Sequence, residues 1–211
     1  ITETLGKAGD HETEMQAIIR SGGFSKNFPE SVSQAAQKLH NEKDQIFADA
    51  LLDPKRRDLR HLITMTIDPL DAKDFDDALS CQILENGNIE VGIHIADVSH
   101  YVRENDDIDT EAKDRATSVY LVDRVIPMLP EVLSNDLCSL RPNEDRLAFS
   151  GVFEMTPEAE IKNAWYGQSI IHSNKRFSYE EAQNVLDQED GPYLKELQIL
   201  MDLGRKLRQK R

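Results

Sequence analysis

The feature that most constrains the fold is the segment TIDPLDAKDFDDALS, an acidic cluster between two apolar, strand-like segments. Within ten residues it holds five aspartates, namely Asp68, Asp71, Asp74, Asp76 and Asp77. Two carboxylates about 4 Å apart repel by roughly 4 kcal/mol at an effective dielectric near 20. Only Lys73 lies inside the cluster, so neutralisation by neighbouring cations is incomplete. The fold must therefore either spread these carboxylates into water or give them a cation to bind.

The residues on either side of the acidic cluster predict β-strands. LITMTID is rich in β-branched residues and ends at Asp68, and ALSCQILENGNIEVGIHIADV has the pattern of a hairpin with an Asn86-Gly87 turn. Its second strand alternates apolar residues with others, so we expect one face to be buried and His94, on the other face, to be a structural histidine. The apolar residues are Ile89, Val91, Ile93 and Ile95.

Further strands are predicted at RLAFSGVFEMT and IKNAWYGQSIIHS, and helices on both sides of the strands. Ser31 is the expected N-cap of SVSQAAQKLHNEKDQIFADALL, and a second helical stretch is expected from Ile46 to Leu52, stopped by Asp53-Pro54. Ser178 and Glu181 form a capping-box pattern, and leucines repeat along an amphipathic C-terminal helix. Strands interrupted by helices without regular β-α-β alternation predict an α+β fold, with a mixed or antiparallel sheet flanked by helices.

Composition excludes several classes of protein. No apolar run approaches the ~18 residues that a membrane helix needs, and no secretory signal is evident. Cys81 and Cys138 lack a C-x-x-C pattern and are expected to be free thiols, which fits a cytoplasmic location. The net charge of −14 argues against a simple nucleic-acid binder, because phosphate contact needs a basic face. The basic end GRKLRQKR is either a solvated helix end or a local phosphate-attracting patch.

Three interpretations of the acidic cluster remain open from the residues alone. It could be a solvated loop, a site for Mg²⁺ or for Mn²⁺ in its place, or the D-x-D of a metal-dependent phosphatase, here Asp74-Phe75-Asp76. Asp68 ends one strand and Asp77 precedes another, so the side chains can converge, which favours metal-assisted phosphoryl transfer. A calcium-binding EF-hand loop that starts at Asp74 is excluded, because Ala78 and Leu79 occupy its fifth and sixth positions.

The pattern I-D-P-x-D-A-x-D-x-D-D-A resembles the catalytic signature of the ribonuclease II / ribonuclease R family, whose exoribonucleases share an RNB-type catalytic domain. VGIHIADVSHYV, SVYLVDRVIPMLPEVLSNDLCSLRPNEDRLAFS and NKRFSYEEA resemble later blocks of that domain, in the same order. The resemblance covers residues 29–211 as an N-terminal portion of the catalytic domain. Residues 1–28 resemble the tail of a cold-shock-like OB domain. They are expected to form a strand and a turn, followed by a second strand or a short helix that ends at Gly22-Gly23.

The resemblance implies a hydrolytic exoribonuclease that degrades single-stranded RNA from its 3′ end and releases nucleoside 5′-monophosphates. It implies that Asp68, Asp74 and Asp77 hold Mg²⁺, and that Asp76 fixes the terminal nucleotide. Tyr120 matches an aromatic that stacks on the terminal base, at ~1–3 kcal/mol. Asp71 is expected to structure the loop. Arg115, Arg124 and Arg146 are candidate phosphate contacts, although surface ion pairs are the expected role of each.

The resemblance also implies a truncated catalytic domain, because the family's later part supplies an arginine, a second aromatic and RNA-channel residues without counterparts here. The fragment is then expected to be nearly inactive in isolation and to self-associate through exposed apolar surface. A non-catalytic RNA-binding or scaffold module with the same fold is the alternative. The sequence does not distinguish ribonuclease II from ribonuclease R, or the number of metals.

Overall fold

A computed structural model describes residues 4–210 of the chain. Its strands are β1 (Arg57–Asp58), β2 (Thr64–Asp68), β3 (Asp77–Ile83), β4 (Ile89–Ala96), β5 (Val119–Tyr120), β6 (Val125–Ile126), β7 (Glu144–Met155) and β8 (Ile161–Ser178). Its helices are α1 (His11–Ser21), α2 (Glu30–Asn41), α3 (Lys43–Leu51), α4 (Val98–Tyr101), α5 (Asp107–Arg115), α6 (Tyr179–Gln188) and α7 (Leu194–Gln209), with a π-helical turn at Leu133–Leu137. Among residues 4–210, no helix has the length and apolar character to cross a bilayer.

The main sheet has the strand order β1-β8-β2-β3-β4-β7, and β7 also pairs with β8. The 18-residue strand β8 makes this possible, because one edge pairs antiparallel with β7 while the other pairs parallel with β1 and β2. Strands β2, β3, β4, β7 and β8 therefore close into a small barrel. The predicted α+β class with a mixed sheet flanked by helices is confirmed, and the closure of the sheet goes beyond that prediction.

The predicted hairpin is confirmed as β3 and β4, joined by a turn in which Gly87 has φ +80°. The prediction that the isoleucine face of β4 is buried was wrong for two residues, since Ile93 is 41% and Ile95 48% exposed. The opposite face, which carries Gly92, His94 and Ala96, points into the barrel and is the buried one. Gly92 lies on that inner face, where a Cβ would come within 2.5 Å of Nε2 of His94.

His94 fills the barrel interior as a hydrogen-bonded structural histidine, as predicted. Its Nε2 lies 2.9 Å from Oγ of Ser80, and its Nδ1 lies 2.7 Å from Oγ of Ser150. Burial lowers the pKa of His94 to about 4, so the ring is neutral at neutral pH. These contacts join β3, β4 and β7 through side chains as well as through the sheet.

The outer face of the barrel carries the exposed isoleucines beside two exposed aromatic residues. Ile95 is the cross-strand partner of Phe149, and Gly151 of β7 is the cross-strand partner of both Ile93 on β4 and Tyr166 on β8. Phe149 is 50% and Tyr166 64% exposed. This is the apolar surface on which the predicted self-association would depend.

Several predicted helix boundaries agree with the structure, and one was wrong. Ser178 Oγ accepts a hydrogen bond from the Glu181 amide, and the Glu181 carboxylate accepts one from the Ser178 amide, so the capping box is confirmed. The predicted N-cap at Ser31 was wrong, because α2 begins at Glu30 with Pro29 at the cap. Pro29 has φ −53° and ψ 150°, which is not helical, while its carbonyl already accepts a hydrogen bond from the Ser33 amide at 3.0 Å, so the helix starts directly after the proline.

The two chain ends fall partly outside the described residues. The predicted strand at the N-terminus includes residues 1–3, which are outside them; residues 4–10 form no strand, and α1 confirms the short-helix alternative. In the basic C-terminal end, Arg211 is outside the described residues. Nζ of Lys206 donates to the Pro157 carbonyl and Nζ of Lys210 to the Glu158 carbonyl, so both lysines hold a neighbouring loop.

The largest apolar core lies between the barrel and the helices beside it. It joins Val32 and Ala36 of α2, Ala50 of α3, Leu133 of the π-helical turn and Phe75 of the acidic cluster. The segment that carries the aspartates is thus anchored in the main core through its single aromatic residue.

Candidate active site

The acidic cluster lies at one end of the barrel. Asp68 is the last residue of β2 and Asp77 the first of β3, and these strands pair antiparallel. The end of one strand and the start of the next meet at the same edge of the sheet. The connecting segment, called the aspartate loop here (residues 69–76), carries Asp71, Asp74 and Asp76. The structure therefore brings Asp68, Asp74, Asp76 and Asp77 to one end of the barrel, as the sequence predicted.

The carboxylates affect one another electrostatically. Desolvation by the surrounding protein raises the pKa of Asp68, the neighbouring Thr66 side chain opposes that rise, and repulsion from Asp77 and Asp74 adds to it. The pKa of Asp76 is also raised, first by desolvation and then by Asp74, Asp77 and Asp68. Asp76 is exposed at the surface, yet enough protein surrounds it to weaken its hydration. These shifts show that the charges are close and that neighbouring groups offset them only in part.

Asp68 provides the observation that bears most directly on a cation. Its Oδ2 is buried and has no hydrogen-bond partner. A buried charged oxygen without a partner is costly unless something outside the protein satisfies it. The hard oxygen donors here suit Mg²⁺, which usually takes one or two carboxylates and completes its shell with water and substrate phosphate. Among residues 4–210, no group of three or more His, Cys, Asp or Glu side chains is already placed to hold a metal ion.

The aspartate loop is held from two neighbouring strands. Nη2 of Arg176 on β8 donates to the carbonyl of Pro69 at 2.6 Å and to that of Leu70 at 2.7 Å. On the other side, the Ala96 amide donates to the Asp76 carbonyl at 2.9 Å. Arg176 also lowers the pKa of Asp68, although less than desolvation and Asp77 raise it. Arg176 therefore acts on both the loop backbone and the charge of Asp68.

The predicted loop-structuring role of Asp71 has no support in these contacts. Asp71 is exposed, and the turn it occupies is closed by the Ala72 amide donating to the Pro69 carbonyl at 3.1 Å. Within residues 4–210, no hydrogen bond to the Asp71 carboxylate contributes to that turn. The prediction for Asp71 therefore stays a prediction.

Tyr120 lies beside the acidic cluster, on the short hairpin of β5 and β6. Its side chain is 68% exposed, which leaves the ring available to a ligand. The pKa of Tyr120 is raised first by desolvation and then by the charges of Asp74 and Asp76. The hairpin turn pairs with α1, because Asp123 contacts His11 at 2.8 Å and Arg124 contacts Glu12 at 2.7 Å. The candidate base-stacking residue and the candidate metal ligands are thus neighbours.

The three arginines considered as phosphate contacts form ion pairs within the protein. Arg124 binds Glu12 and Asp123, and Arg146 binds Glu144 and Asp136. Arg115 pairs with Glu111 at 2.8 Å, donates to the carbonyls of Ser25, Asn27 and Pro127, and lies over the Phe28 ring. The expected ion pairs are confirmed. The partners of Arg115 show that it fixes the segment before α2 and the exit of the Tyr120 hairpin.

With this geometry in place, comparison with known proteins identifies the family. The profile of the family described as "RNB domain" matches residues 56–211. The chain belongs to the RNB domain family. The predicted recognition is therefore confirmed, and the phosphatase interpretation is set aside. The predicted domain boundary after residue 28 stays a prediction.

Relatives of this RNB domain are exoribonucleases. The chain is 44% identical over 196 residues to DIS3-like exonuclease 2 of Xenopus tropicalis, covering 90% of this chain and 22% of that protein. It is 44% identical over 188 residues to Ribonuclease R 1 of Lactococcus lactis, covering 88% of this chain and 22% of that protein. The chain thus spans about a fifth of the length of these curated relatives.

Solved structures share the fold. Mycoplasma genitalium RNase R in complex with ribose-methylated single-stranded RNA matches with a TM-score of 0.86 and 30% identity, over 98% of this chain and 32% of that one. Yeast Ssd1, described as a pseudonuclease, matches with a TM-score of 0.78 and 24% identity, over 98% of this chain and 25% of that one. The second likeness concerns the fold alone.

Sequence reasoning missed a buried ion pair near the acidic cluster. Nη2 of Arg56 lies 2.7 Å from Oδ2 of Asp97, and both side chains are 1% exposed. Arg56 also donates to the Ser169 carbonyl, so the pair joins the segment before β1 to the end of β4 and to β8. Asp97 follows Ala96, whose amide holds the Asp76 carbonyl. The only signal in the sequence was an aspartate directly after an apolar strand, which alone predicts an exposed residue.

Proposed function

We propose that this RNB domain carries the metal-binding part of a hydrolytic 3′-to-5′ exoribonuclease that releases nucleoside 5′-monophosphates. The observation that carries the proposal is the meeting of four carboxylates, one with a buried unpaired oxygen, and an exposed Tyr120 at one end of the barrel. Membership in a family of exoribonucleases supports the reaction class. Single-stranded RNA with a free 3′ end is the proposed substrate.

Asp68, Asp74 and Asp77 are the proposed ligands of Mg²⁺, or of Mn²⁺ in its place. The donor type fits these ions, and the unpaired Oδ2 of Asp68 is the atom most in need of a cation. The open arrangement leaves coordination positions for water and for phosphate oxygens. When bound, the ion supplies charge neutralisation and Lewis-acid stabilisation at the phosphodiester.

Asp76 and Tyr120 are the proposed substrate-positioning residues. The exposed ring of Tyr120 suits stacking on the terminal base, which is indifferent to base identity and worth about 1–3 kcal/mol. Asp76 lies among the other carboxylates and would orient the last nucleotide for attack. Hydrolysis then consumes one water, breaks the bond between phosphorus and the 3′ oxygen of the penultimate ribose, and leaves the phosphate on the released nucleotide.

Product analysis tests the proposed reaction. Because the chain spans about a fifth of its relatives, the assay should use the full-length protein that contains it. With 5′-labelled single-stranded RNA and Mg²⁺, we expect progressive shortening from the 3′ end, release of nucleoside 5′-monophosphates, and arrest by a chelator. An RNA blocked by a 3′-phosphate is the matched control substrate. Internal cleavage, nucleoside 3′-monophosphates, or unchanged rates in chelator would contradict the proposal.

A non-catalytic RNA-binding module is the second candidate function. It is favoured by one observation, the absence within residues 4–210 of three acidic, His or Cys side chains already converged on a metal position. Under this alternative the full-length protein would bind RNA and leave it intact with any divalent ion. The retention of four closely spaced carboxylates, whose mutual repulsion RNA binding alone does not require, favours the nuclease.

A further inference from the structure

Phe75 anchors the aspartate loop between its two central carboxylates. Residues 72–76 form no helix or turn, and burial alternates along them, with Asp74 half-buried, Phe75 buried and Asp76 exposed. The phenylalanine belongs to the main core, while both neighbouring aspartates remain accessible to solvent. Any shift of the backbone at Phe75 would move both carboxylates together.

The backbone on both sides of Phe75 is held by one short segment of distant sequence. Oγ of Ser139 accepts a hydrogen bond from the Phe75 amide at 3.0 Å and donates to the Lys73 carbonyl at 2.9 Å. The Leu140 amide donates to the Phe75 carbonyl at 2.8 Å. Three hydrogen bonds thus bind residues 73–75 to residues 139–140. Ser139 provides two of them with a single fully buried hydroxyl.

The segment that carries Ser139 is itself firmly placed. It follows the π-helical turn Leu133–Leu137, which is closed by the Cys138 amide donating to the Leu133 carbonyl at 2.8 Å. Leu133 and Leu140, on either side of Ser139, are 0% exposed and belong to the main core. π-Helical turns are uncommon and occur frequently at functional sites. Ser139 is therefore a fixed point against which the aspartate loop is set.

We propose that Ser139 is the positioning residue of the acidic site, whose hydroxyl fixes the loop backbone so that Asp74 and Asp76 stay directed toward the cation and the substrate. Repulsion among the carboxylates favours a loop that spreads them into water. The Ser139 hydrogen bonds oppose that movement from within the core. The part of this inference that concerns the cation rests on the proposed function, whereas the part that concerns the loop does not.

Ser139→Ala tests the inference, with Ser173→Ala as the matched control. Ser173 is also a fully buried serine of the chain, but its Oγ has no hydrogen-bond partner, so its removal breaks no hydrogen bond. In Ser139→Ala we expect hydrogen exchange at the Phe75 amide to accelerate at least about tenfold. We also expect Mn²⁺ affinity, measured by calorimetry, to fall by about 10- to 100-fold, as for other groups that orient metal ligands. Ser173→Ala should change neither quantity.

The outcomes separate this inference from the proposed function. Wild-type exchange at Phe75 in folded Ser139→Ala would overturn the positioning role, whatever the metal does. If the wild-type chain bound no divalent ion, the proposed function would fail, and exchange alone would decide the role of Ser139 in the loop. If Ser139→Ala did not fold, Ser139→Cys would take its place. Its weaker thiol hydrogen bonds should still accelerate exchange at Phe75, and unchanged protection would overturn the inference.

Discussion

Asp76→Asn is expected to slow RNA degradation by about 100-fold or more while RNA binding persists, because losing one preorganised electrostatic contact of an active site costs about that much. Asp76 lies at the exposed surface of the site, between Phe75 and Asp77, with its backbone held by Ala96. Asparagine keeps the size of the side chain and removes its charge. The substitution therefore changes how the terminal nucleotide is oriented and leaves the backbone conformation of the aspartate loop intact.

The measurement is single-turnover degradation of a 5′-labelled RNA by the full-length protein, with affinity measured separately by fluorescence anisotropy. Asp71→Asn is the matched control, since Asp71 lies in the same loop, is exposed and contributes no hydrogen bond to the turn within residues 4–210. It should degrade RNA at close to the wild-type rate. Normal degradation by Asp76→Asn would show that the assigned role is wrong.

Asp76→Asn, although it should slow RNA degradation, is expected to stabilise the fold in the absence of divalent ions. The pKa of Asp76 is raised in the folded protein by desolvation and by neighbouring carboxylates. A carboxyl with a raised folded pKa makes the protein lose stability as pH rises through that pKa. Asparagine avoids this loss, so metal-free Asp76→Asn should unfold at a higher temperature than wild type at pH 7. The difference should shrink as pH falls toward the ordinary value of 3.8.

Asp97→Asn is expected to destabilise the fold by about 3–5 kcal/mol, the usual cost of removing one partner from a buried ion pair. The guanidinium of Arg56 would lose its charged partner in a site where both side chains are 1% exposed. The Ser99 hydroxyl, which donates to Asp97 Oδ1 at 2.9 Å, would lose a charged acceptor as well. Because the pair joins three segments around the barrel, we expect the loss to act on global unfolding.

Urea unfolding followed by circular dichroism measures this cost, and the chain offers a matched control in Asp58→Asn. Asp58 also pairs with an arginine at 2.7 Å, but its side chain is 53% exposed and that of Arg60 37% exposed. Exposed pairs contribute about 0–1 kcal/mol, so Asp58→Asn should stay within that range. Equal costs for the two substitutions would show that the buried pair contributes no more than a surface one.

Local patterns in the sequence predicted the parts of the fold that local physics determines. The Asn86-Gly87 turn, the capping box at Ser178 and the acidic cluster at a strand end are all encoded within a few residues, and each was found. The isoleucine face of β4 was predicted to be buried, because alternation alone assumes that the apolar side faces the core. Closure of the sheet into a barrel reversed this at Ile93 and Ile95, and no local sequence pattern predicts that closure.

Long-range contacts are the part that sequence reasoning could not reach. The barrel closes because the end of β8 pairs with β2, and the Thr64 amide binds Asn174 across a separation of 110 residues. Ser139 holds the Phe75 amide across 64 residues. Neither contact leaves a pattern of spacing or composition in one chain. The candidate ligands could therefore be named from the sequence, but not the groups that hold them in place.

The most direct test of the account is calorimetric titration of the metal-free chain with Mn²⁺, carried out in parallel on Asp68→Asn. Asp68 supplies the buried oxygen that has no partner. The account predicts saturable binding heat for the wild-type chain and affinity weaker by tenfold or more in Asp68→Asn. No heat with the wild-type chain, or the same affinity in both proteins, would contradict the claim that a divalent cation is the reason these carboxylates lie together.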